Sequence, residues 1–229
     1  MARDFDGTGD QLTYGSDASI DAFAQKTIAL WMQWDDTGLA EAILESINAG
    51  TLTGWIVYTD TADTLIFIHL WTTNPAIRWG GTVGGIAGGG YMQLVVTYDG
   101  GAVGNDPQMW VNQTAQTISE VAGPPTGAAT SDAANTLGQG VGAPLGLSDF
   151  DGRMQNLCVD NRIWDTGDIN RHYWYGRSGG GIEIVHPMIT DKTGNEGSAT
   201  APMTVASGTT MASLPRTERM HCASVGCGR

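Results

Sequence analysis

Alternation of apolar and other residues dominates the sequence between Thr27 and Tyr98. The first run places four apolar side chains on one face of an extended chain: Ile28, Leu30, Met32 and Trp34. Because successive side chains of a strand point to opposite faces, this pattern predicts half-buried β-strands rather than helices. Similar runs predict further strands: Trp55–Tyr58, Leu65–Trp71, Met92–Tyr98, Met109–Asn112 and Leu157–Trp164. Many short strands with glycine-rich connections are typical of a β-sandwich or jelly roll.

Only two segments are candidates for helices. Leu39–Ala49 contains good helix formers and is followed by Gly50, although a strand over Ala42–Ser46 competes with this interpretation. The stretch from Asp165 to about Tyr173 predicts one or two helical turns, with Asp165 or Thr166 as the N-cap. The fold class predicted from these patterns is therefore all-β.

Charge and composition exclude several classes of partner. Lys and Arg total 11 against 24 Asp and Glu, which gives a formal net charge of -13. Binding to nucleic acid or to an anionic membrane surface needs basic residues, so neither partner is expected. No apolar run approaches a membrane span or a secretory signal, and the three cysteines do not form a disulfide framework. We expect a protein made in a reducing cytoplasm.

The composition of the chain changes after Gly176. The segment 177–181 is rich in glycine and has the character of a hinge. One apolar patch, Ile182–Val185, follows, and then a run rich in Thr, Ala, Ser and Gly extends to Leu214. We predict a β-sandwich over residues 1–176 and an extended C-terminal arm over residues 177–229.

Four motifs occur in an order that resembles the laminin-G-like jelly rolls of the concanavalin A-like lectin and glucanase superfamily. They are Phe5–Leu12 leading into Thr27–Met32, then Met92–Gly100, Trp110–Gln113 and Phe150–Asp165. The resemblance covers roughly residues 3–175. It implies an antiparallel jelly-roll β-sandwich, and it favours a strand over Leu39–Ala49, where the family normally has one.

The tail carries a narrower resemblance. Asp191–Gly197, followed by Ala201–Gly208 and Pro215, is similar to a segment that follows jelly rolls encoded by tailed bacteriophages. With the missing export signal, this implies a virion protein assembled in the host cytoplasm. We expect a non-enzymatic decoration protein on the capsid surface that binds the major capsid protein and its own copies. Capsid lattices offer threefold positions, so the expected homo-oligomer is a trimer. The alternative is a carbohydrate-binding, lectin-like module on a phage tail or another host-contacting structure.

No constellation of residues predicts catalysis. Glucanases of the superfamily hold their acid and base in a Glu-x-Asp-x-(x)-Glu arrangement on one strand, and this spacing does not occur here. Glu41 and Glu45 are four residues apart, and the adjacent Asp35 and Asp36 point to opposite faces of a strand. Gly176–Gly180 matches the pattern of a nucleophile elbow, but further glycine follows instead of a helix. We therefore expect no enzyme.

Metal binding is limited to one open candidate, calcium. His221, Cys222 and Cys227 lack the paired spacing of a zinc site. Laminin-G-like domains hold calcium with loop aspartates, and seven aspartates lie near predicted strand ends: Asp4, Asp6, Asp10, Asp99, Asp106, Asp149 and Asp151. The family's aspartate after the closing Gly-x-Ile is Gln155 here, so no ligand set is predicted.

The eight tryptophans are candidates for stacking on sugar rings. Six lie within predicted strands, where a sandwich core takes up aromatic side chains: Trp31, Trp34, Trp55, Trp71, Trp110 and Trp164. Trp79 lies in a glycine-rich stretch predicted as a loop, and Trp174 stands beside Tyr173 and Tyr175. Trp79 and Trp174 are therefore the predicted exposed aromatics, for contact with a glycan or with another subunit.

Overall fold

The structure is a computed structural model. It describes residues 2–16, 23–35, 37–48, 50–62, 64–73, 78–81, 90–121, 124–133, 135–140, 145–176, 182–186, 204–205 and 210–212. Strands dominate these residues, and they form two antiparallel sheets that pack face to face. The prediction of an all-β sandwich is confirmed.

Sheet A is built around its two longest strands. In spatial order it contains β10 (Thr114–Ala115), β9 (Gln108–Val111), β8 (Met92–Asp99), β3 (Gln25–Trp34), β13 (Asp151–Asp160), β1 (Ala2–Asp6) and β16 (Thr210–Ala212). A further strand, β14 (Ile182–His186), pairs with the second half of β13, whose first half pairs with β1.

Sheet B covers one face of sheet A. In spatial order it contains β11 (Ile118–Val121), β7 (Arg78–Gly81), β6 (Leu65–His69), β5 (Thr53–Thr59), β4 (Glu41–Asn48), β12 (Gly138–Gln139), β2 (Leu12–Thr13) and β15 (Thr204–Val205). The chain thus places consecutive strands β4, β5, β6 and β7 side by side as antiparallel neighbours.

The core lies between the two sheets. The four alternating residues predicted to share one face of β3 are all buried there: Ile28, Leu30, Met32 and Trp34. Sheet B contributes Trp55, Val57 and Phe67 from the facing side. Its outer face is also apolar and buried, with Ile56 and Ile66 among its members. Burial on both faces explains why β5 and β6 read as continuous apolar runs rather than as clean alternation.

Within the segment 39–49 the described residues form the strand β4 (Glu41–Asn48), as the family resemblance implied. β4 pairs with β5 on one side and β12 on the other, and Ile43 and Leu44 enter the core. Burial and pairing on both edges therefore override the helix propensity of Leu39–Ala49. The predicted strand over Leu157–Trp164 is misplaced: β13 ends at Asp160, and Trp164 lies beyond it, donating a 2.6 Å hydrogen bond from Nε1 to the Asp160 carboxylate.

The structure explains why the closing motif has glycine at position 152. It lies in β13 opposite Trp34 with φ at 135°, and a Cβ atom there would come within 2.2 Å of the Gln33 carbonyl oxygen. Any other residue would have to push the two central strands apart.

The predicted helix is α1 (Thr166–Tyr175), and Asp165 is its N-cap. The Asp165 carboxylate accepts a 2.9 Å hydrogen bond from the Asp168 amide. The helix ends at Gly176, whose φ of 72° is the left-handed conformation typical of a C-terminal glycine. Helix α1 packs on the outer face of sheet A, where Ile169 contacts an apolar cluster that includes Trp164 and Cys158. Cys158 is thus a buried core residue.

His172 fixes α1 to sheet A through two hydrogen bonds. Its Nε2 donates to the Asn156 carbonyl at 2.9 Å, and its Nδ1 accepts from Gln93 Nε2 at 3.0 Å. The same side-chain nitrogen, Gln93 Nε2, also donates to the Ile169 carbonyl at 2.8 Å. Asn156 lies at a bulge of β13 with φ at 53°, which brings its carbonyl under the helix. Burial lowers the pKa of His172 to about 4, so the imidazole is neutral at pH 7.

The described parts of segment 177–229 are strands at the sheet edges. β16 pairs with β1, β15 pairs with β2, and β14 pairs with β13. The division of the chain at residue 176 stays a prediction. The hinge at 177–181, the phage-like motif at 191–197 and the candidate ligands His221, Cys222 and Cys227 lie outside the described residues. Among the residues that are described, no helix is long and apolar enough to cross a membrane.

The first prediction concerns the N-cap of α1. Replacing Asp165 with Ala removes the acceptor for the Asp168 amide and should lower the free energy of unfolding by about 1 kcal/mol. Asp165→Asn keeps a capping oxygen and is the matched control. Urea unfolding at pH 7 measures both variants. Equal stability of Asp165→Ala and Asp165→Asn would contradict the capping role.

The second prediction concerns the pH dependence contributed by His172. Its folded pKa of about 4 lies below the ordinary value near 6.5. The unfolded chain therefore binds the proton more readily, and the stabilisation present above pH 6.5 is lost as the pH falls through this window. We expect His172→Gln to remove about 2 kcal/mol of the stability difference between pH 7 and pH 5.

Urea unfolding of the natural sequence and His172→Gln at both pH values tests this prediction. His69 is unchanged in both proteins, so its titration cancels in the comparison. An unchanged pH dependence in His172→Gln would show that His172 does not carry the effect, whatever the variant's overall stability.

Candidate functional site

Three aromatic side chains at the end of α1 and one from β3 form a surface that we call the aromatic patch (Trp31, Tyr173, Trp174 and Tyr175). The ring centroids of Trp31 and Tyr173 are 4.9 Å apart, and those of Tyr173 and Trp174 are 5.1 Å apart with nearly perpendicular planes. Trp174 is 45% exposed and Tyr175 is 62% exposed, whereas Trp31 and Tyr173 are half-buried. The patch therefore exposes aromatic surface to solvent beside two half-buried rings.

The periodicity of α1 determines which aromatics are exposed. Ile169 and His172 face sheet A, and the residues that follow His172 turn progressively outward. Trp31 comes from the outer face of β3, between the core residues Leu30 and Met32. Trp174 is thus exposed, as expected from the sequence, while its contact with a glycan or subunit stays a prediction.

The other end of α1 is held by an ion-pair network. Arg162 pairs with Asp160 at 3.1 Å and also with Asp168, which receives a second ion pair from Arg171 at 3.6 Å. Asp160 is fully buried and accepts the Trp164 indole N–H. These contacts join the first turn of the helix to the end of β13 and hold the aromatic patch in place.

The expected exposure of Trp79 is wrong. Trp79 lies in β7 rather than in a loop, and its side chain is fully buried. Its indole N–H donates a 3.0 Å hydrogen bond to Asp106, and its ring lies 5.3 Å from that of Tyr98. The glycines beside it belong to an internal strand of sheet B, whose pairing with β6 and β11 turns the indole into the core.

Two of the carboxylates considered for catalysis, Glu41 and Glu45, are buried in β4. Glu41 is fully buried and accepts hydrogen bonds from Trp34 Nε1 at 2.9 Å and from the Asp151 amide at 3.0 Å. Glu45 is also buried, and desolvation together with the nearby Asp149 charge raises its pKa to about 8. Glu41 thus joins β4 to the closing strand, and Asp36 lies outside the described residues.

The aspartates considered for calcium separate into two places. Around the end of β1, Asp10 accepts from the Asp6 amide at 3.1 Å and Asp149 accepts from the Gly9 amide at 2.8 Å. Asp99 and Asp106 lie instead beside the loop after β8, where Asp99 accepts from Gln25 Nε2 at 3.0 Å. Within the described ranges, no group of three or more acidic, His or Cys side chains is arranged to hold a metal ion. Calcium binding stays a prediction.

A cleft opens between the sheets where β3 begins and β6 and β8 end. This end cleft has a volume of about 580 Å³. Its walls are Phe23–Ala24, Gly100–Val103 and Gly127–Asp132, and His69 and Trp71 lie at its floor.

Polar side chains replace the apolar core at the end cleft. Lys26 forms a 3.6 Å ion pair with Asp132, and each side chain is no more than 3% exposed. Asp132 also accepts a 2.7 Å hydrogen bond from Trp55 Nε1, and the Lys26 ammonium lies 5.5 Å from the Trp55 ring centroid. Burial lowers the pKa of Lys26 to about 8 despite the attraction of Asp132. A charged pair buried inside a sandwich is unusual, and such contacts offset the hydration that the two charges lose.

Sequence reasoning missed this polar cluster, although the alternation contained a signal. Lys26 stands two residues before Ile28, and His69 stands two residues after Phe67, so each continues a series of core-facing positions. A charged or titratable residue at the next core position marks the point where a strand leaves the apolar layer. The sequence could not show that these points meet in space.

No protein-family model and no curated protein sequence matches the chain. Solved structures do resemble it. A candidate carbohydrate-binding protein from Bacteroides ovatus has a TM-score of 0.63 at 14% identity, over 93% of this chain and 59% of that one. The chain thus spans less than two thirds of that protein.

Two further solved structures share the fold. The heptameric SAP-like pentraxin of Limulus polyphemus has a TM-score of 0.60 at 13% identity, over 91% of this chain and 93% of that one. The enzymatically active domain of tailspike protein 2 from bacteriophage CBA120 has a TM-score of 0.52 at 11% identity, over 78% of this chain and 28% of that one. At these identities the likeness concerns the fold. The predicted antiparallel jelly-roll β-sandwich is confirmed.

Proposed function

We propose that the protein is a non-enzymatic, lectin-like carbohydrate-binding protein whose aromatic patch contacts the faces of sugar rings. The observation that carries this proposal is the exposure of Trp174 and Tyr175 beside the half-buried Trp31 and Tyr173. A pyranose presents apolar C–H faces, and an indole held rigidly at a surface offers a large area for them with little loss of side-chain entropy.

The charge of the protein narrows the class of glycan. A formal net charge of -13 repels acidic polysaccharides, so a neutral glycan is the expected ligand. The resemblance to the Bacteroides ovatus protein, described as a candidate for carbohydrate binding, supports this class of function. The jelly roll also occurs in a phage tailspike, which supports a place on a host-contacting structure of a virion.

Capsid decoration is the second candidate, and the edge strands favour it. β15 and β16 each add a short strand to an edge of the sandwich, β15 at β2 and β16 at β1. A segment that pairs with sheet edges in its own chain is able to pair with an edge of a neighbouring copy or of a major capsid protein. Under capsid decoration, the protein is expected to be a trimer on the capsid surface.

Co-sedimentation with undecorated capsids from the same source separates the two candidates. Saturable binding by the full chain, reduced by truncation after Gly176, would favour decoration. Binding of glycans without binding of capsids would favour the lectin-like function and overturn the capsid reading.

The test of the proposed function is the loss of glycan binding in Trp174→Ala. Removing the exposed indole should weaken binding to an immobilised neutral glycan by about tenfold, the equivalent of roughly 1.4 kcal/mol of stacking. A glycan array identifies the ligand, and calorimetry with that ligand gives the affinities.

Two variants serve as controls for Trp174→Ala. Trp174→Phe keeps a ring at the patch and should retain most of the affinity. Leu39→Ala removes an aliphatic side chain that is 52% exposed away from the patch and should bind like the natural sequence. Unchanged affinity in Trp174→Ala would remove the aromatic patch as the sugar contact.

A further inference from the structure

The outer face of sheet A carries a strip of polar side chains beside the aromatic patch. The strip comes from three neighbouring strands, β3, β13 and β1, and its members are Gln33, Gln155, Arg153 and Asp4. Each stands next to a core residue of its own strand: Met32, Met154 or Phe5. Because side chains alternate along a strand, all four therefore face away from the core. We call them the polar strip.

Strand register places the polar strip directly against the patch. Trp31 lies opposite Gln155, Gln33 lies opposite Arg153, and Arg153 in turn lies opposite Asp4. Two positions along a strand cover about 7 Å, and neighbouring strands are about 5 Å apart. The strip therefore begins beside the Trp31 ring and ends about 12 Å away at Asp4. Patch and strip form one continuous surface.

Hydrogen bonds hold the polar strip together and leave several polar atoms available. Arg153 Nε donates to Asp4 Oδ1 at 3.0 Å, and Arg153 Nη1 donates to Gln33 Oε1 at 3.2 Å. A guanidinium has five N–H groups and a carboxylate has two oxygens. Among the described residues, the other N–H groups of Arg153, the second oxygen of Asp4 and the side-chain nitrogen of Gln33 make no hydrogen bond.

The polar strip is accessible to a ligand. The side chain of Arg153 is 33% exposed and that of Asp4 is 41% exposed, and Gln33 and Gln155 are half-buried. The Gln155 side chain has no hydrogen-bond partner within the part of the chain that the structure describes. A half-exposed ion pair contributes little to stability. Ligand hydroxyls are thus able to reach these atoms, and few of the contacts are needed for folding.

The chemistry of the polar strip selects neutral hydroxyl groups. A hydroxyl both donates and accepts hydrogen bonds, so two adjacent sugar hydroxyls match a guanidinium donor beside a carboxylate acceptor. The charges of Arg153 and Asp4 cancel, which leaves no net attraction for an anion. Asp6 and Asp151 pair with each other two positions farther along the same face, and they would repel an acidic glycan.

We propose that the polar strip is the hydrogen-bonding half of the sugar site, and that its ligand is a neutral oligosaccharide of at least two units. One ring contacts the aromatic patch, and hydroxyls of the next unit bind Gln155, Arg153 and Asp4. This inference rests on the proposed function, because the aromatic patch supplies the first contact. A single pyranose is shorter than the distance from Trp31 to Asp4, so it reaches only part of the surface.

Calorimetry with the full-length chain tests the ligand class. The probes are maltotriose, cellotriose, laminaritriose, mannotriose and N,N′-diacetylchitobiose, with trigalacturonic acid as the acidic counterpart. We expect at least one neutral probe to bind, and its monosaccharide to bind more weakly by about tenfold or more. Trigalacturonic acid should not bind. Equal affinity for the monosaccharide, or binding of trigalacturonic acid alone, would overturn the assignment to a neutral oligosaccharide.

Two variants test the residues of the polar strip with the neutral probe that binds. Arg153→Met keeps most of the aliphatic stem and removes the donors, and it should weaken binding by about tenfold. Gln155→Ala should weaken binding by about fivefold, the range of one neutral hydrogen bond. Gln108→Ala is the matched control, since it removes an exposed glutamine of β9 opposite Thr97, away from the strip. Its affinity should equal that of the natural sequence.

NMR of the natural sequence gives a measurement that does not depend on the folding of a variant. The side-chain amide resonances of Gln33 and Gln155 should shift on addition of the bound probe, while those of Gln108 should stay in place. Absence of any shift at Gln33 and Gln155 would overturn the polar strip as a sugar contact, whether or not Arg153→Met folds.

The outcomes separate this inference from the proposed function. Binding that is weakened in Trp174→Ala and unchanged in Arg153→Met and Gln155→Ala would overturn the polar strip and leave the aromatic patch as the binding surface. Binding that is weakened in the two strip variants and unchanged in Trp174→Ala would support the strip and overturn the contact at Trp174. No binding of any neutral probe by the natural sequence would overturn both.

Discussion

Burial of the alternating face of β3 against sheet B is the contact on which the rest of the structure depends. Ile28, Leu30, Met32 and Trp34 fill the layer between the sheets, and the strand pairs with β8 and β13 along both of its edges. A shift of one residue in that register would turn all four side chains away from the core. Sheet A extends outward from this central strand, since its neighbours β13 and β8 pair in turn with β1, β14 and β9.

The aromatic patch and the end cleft both form where the central strands depart from regular geometry. The bulge in β13 turns the Asn156 carbonyl toward His172 and so seats α1 with its aromatic residues outward. At the end cleft, polar side chains replace the apolar layer where β3 begins and where β6 and β8 end. The apolar layer between the sheets supports the aromatic patch from below and ends at the cleft.

Two buried histidines, one beside each of these surfaces, contribute to the pH dependence of stability. His172 and His69 are both held neutral by burial, and each uses its protonated Nε2 to reach a backbone carbonyl. They differ at Nδ1: that of His172 accepts from Gln93, whereas that of His69 faces no partner in the described part of the chain. The first arrangement holds the helix against sheet A.

The sequence by itself predicted the long alternating strands, the sandwich and the place where the helix begins, because each depends on local periodicity or on one side chain next to its own backbone. Ile28 and Leu30 were predicted to share one face, and Asp165, one of the two predicted caps, is the N-cap of the helix. The exposure of Trp174 followed from the same local reasoning. It failed for Trp79, because a glycine-rich stretch reads as a loop until its pairing with β6 and β11 is known.

Only the tertiary structure decided which distant residues meet. Lys26, His69 and Asp132 are separated by dozens of residues, and the end cleft exists because antiparallel pairing brings the ends of their strands and the 127–132 wall together. The Trp31–Tyr173 contact has the same origin. Local sequence patterns carry no information on register between strands far apart in the chain, and that register is what assembles a site.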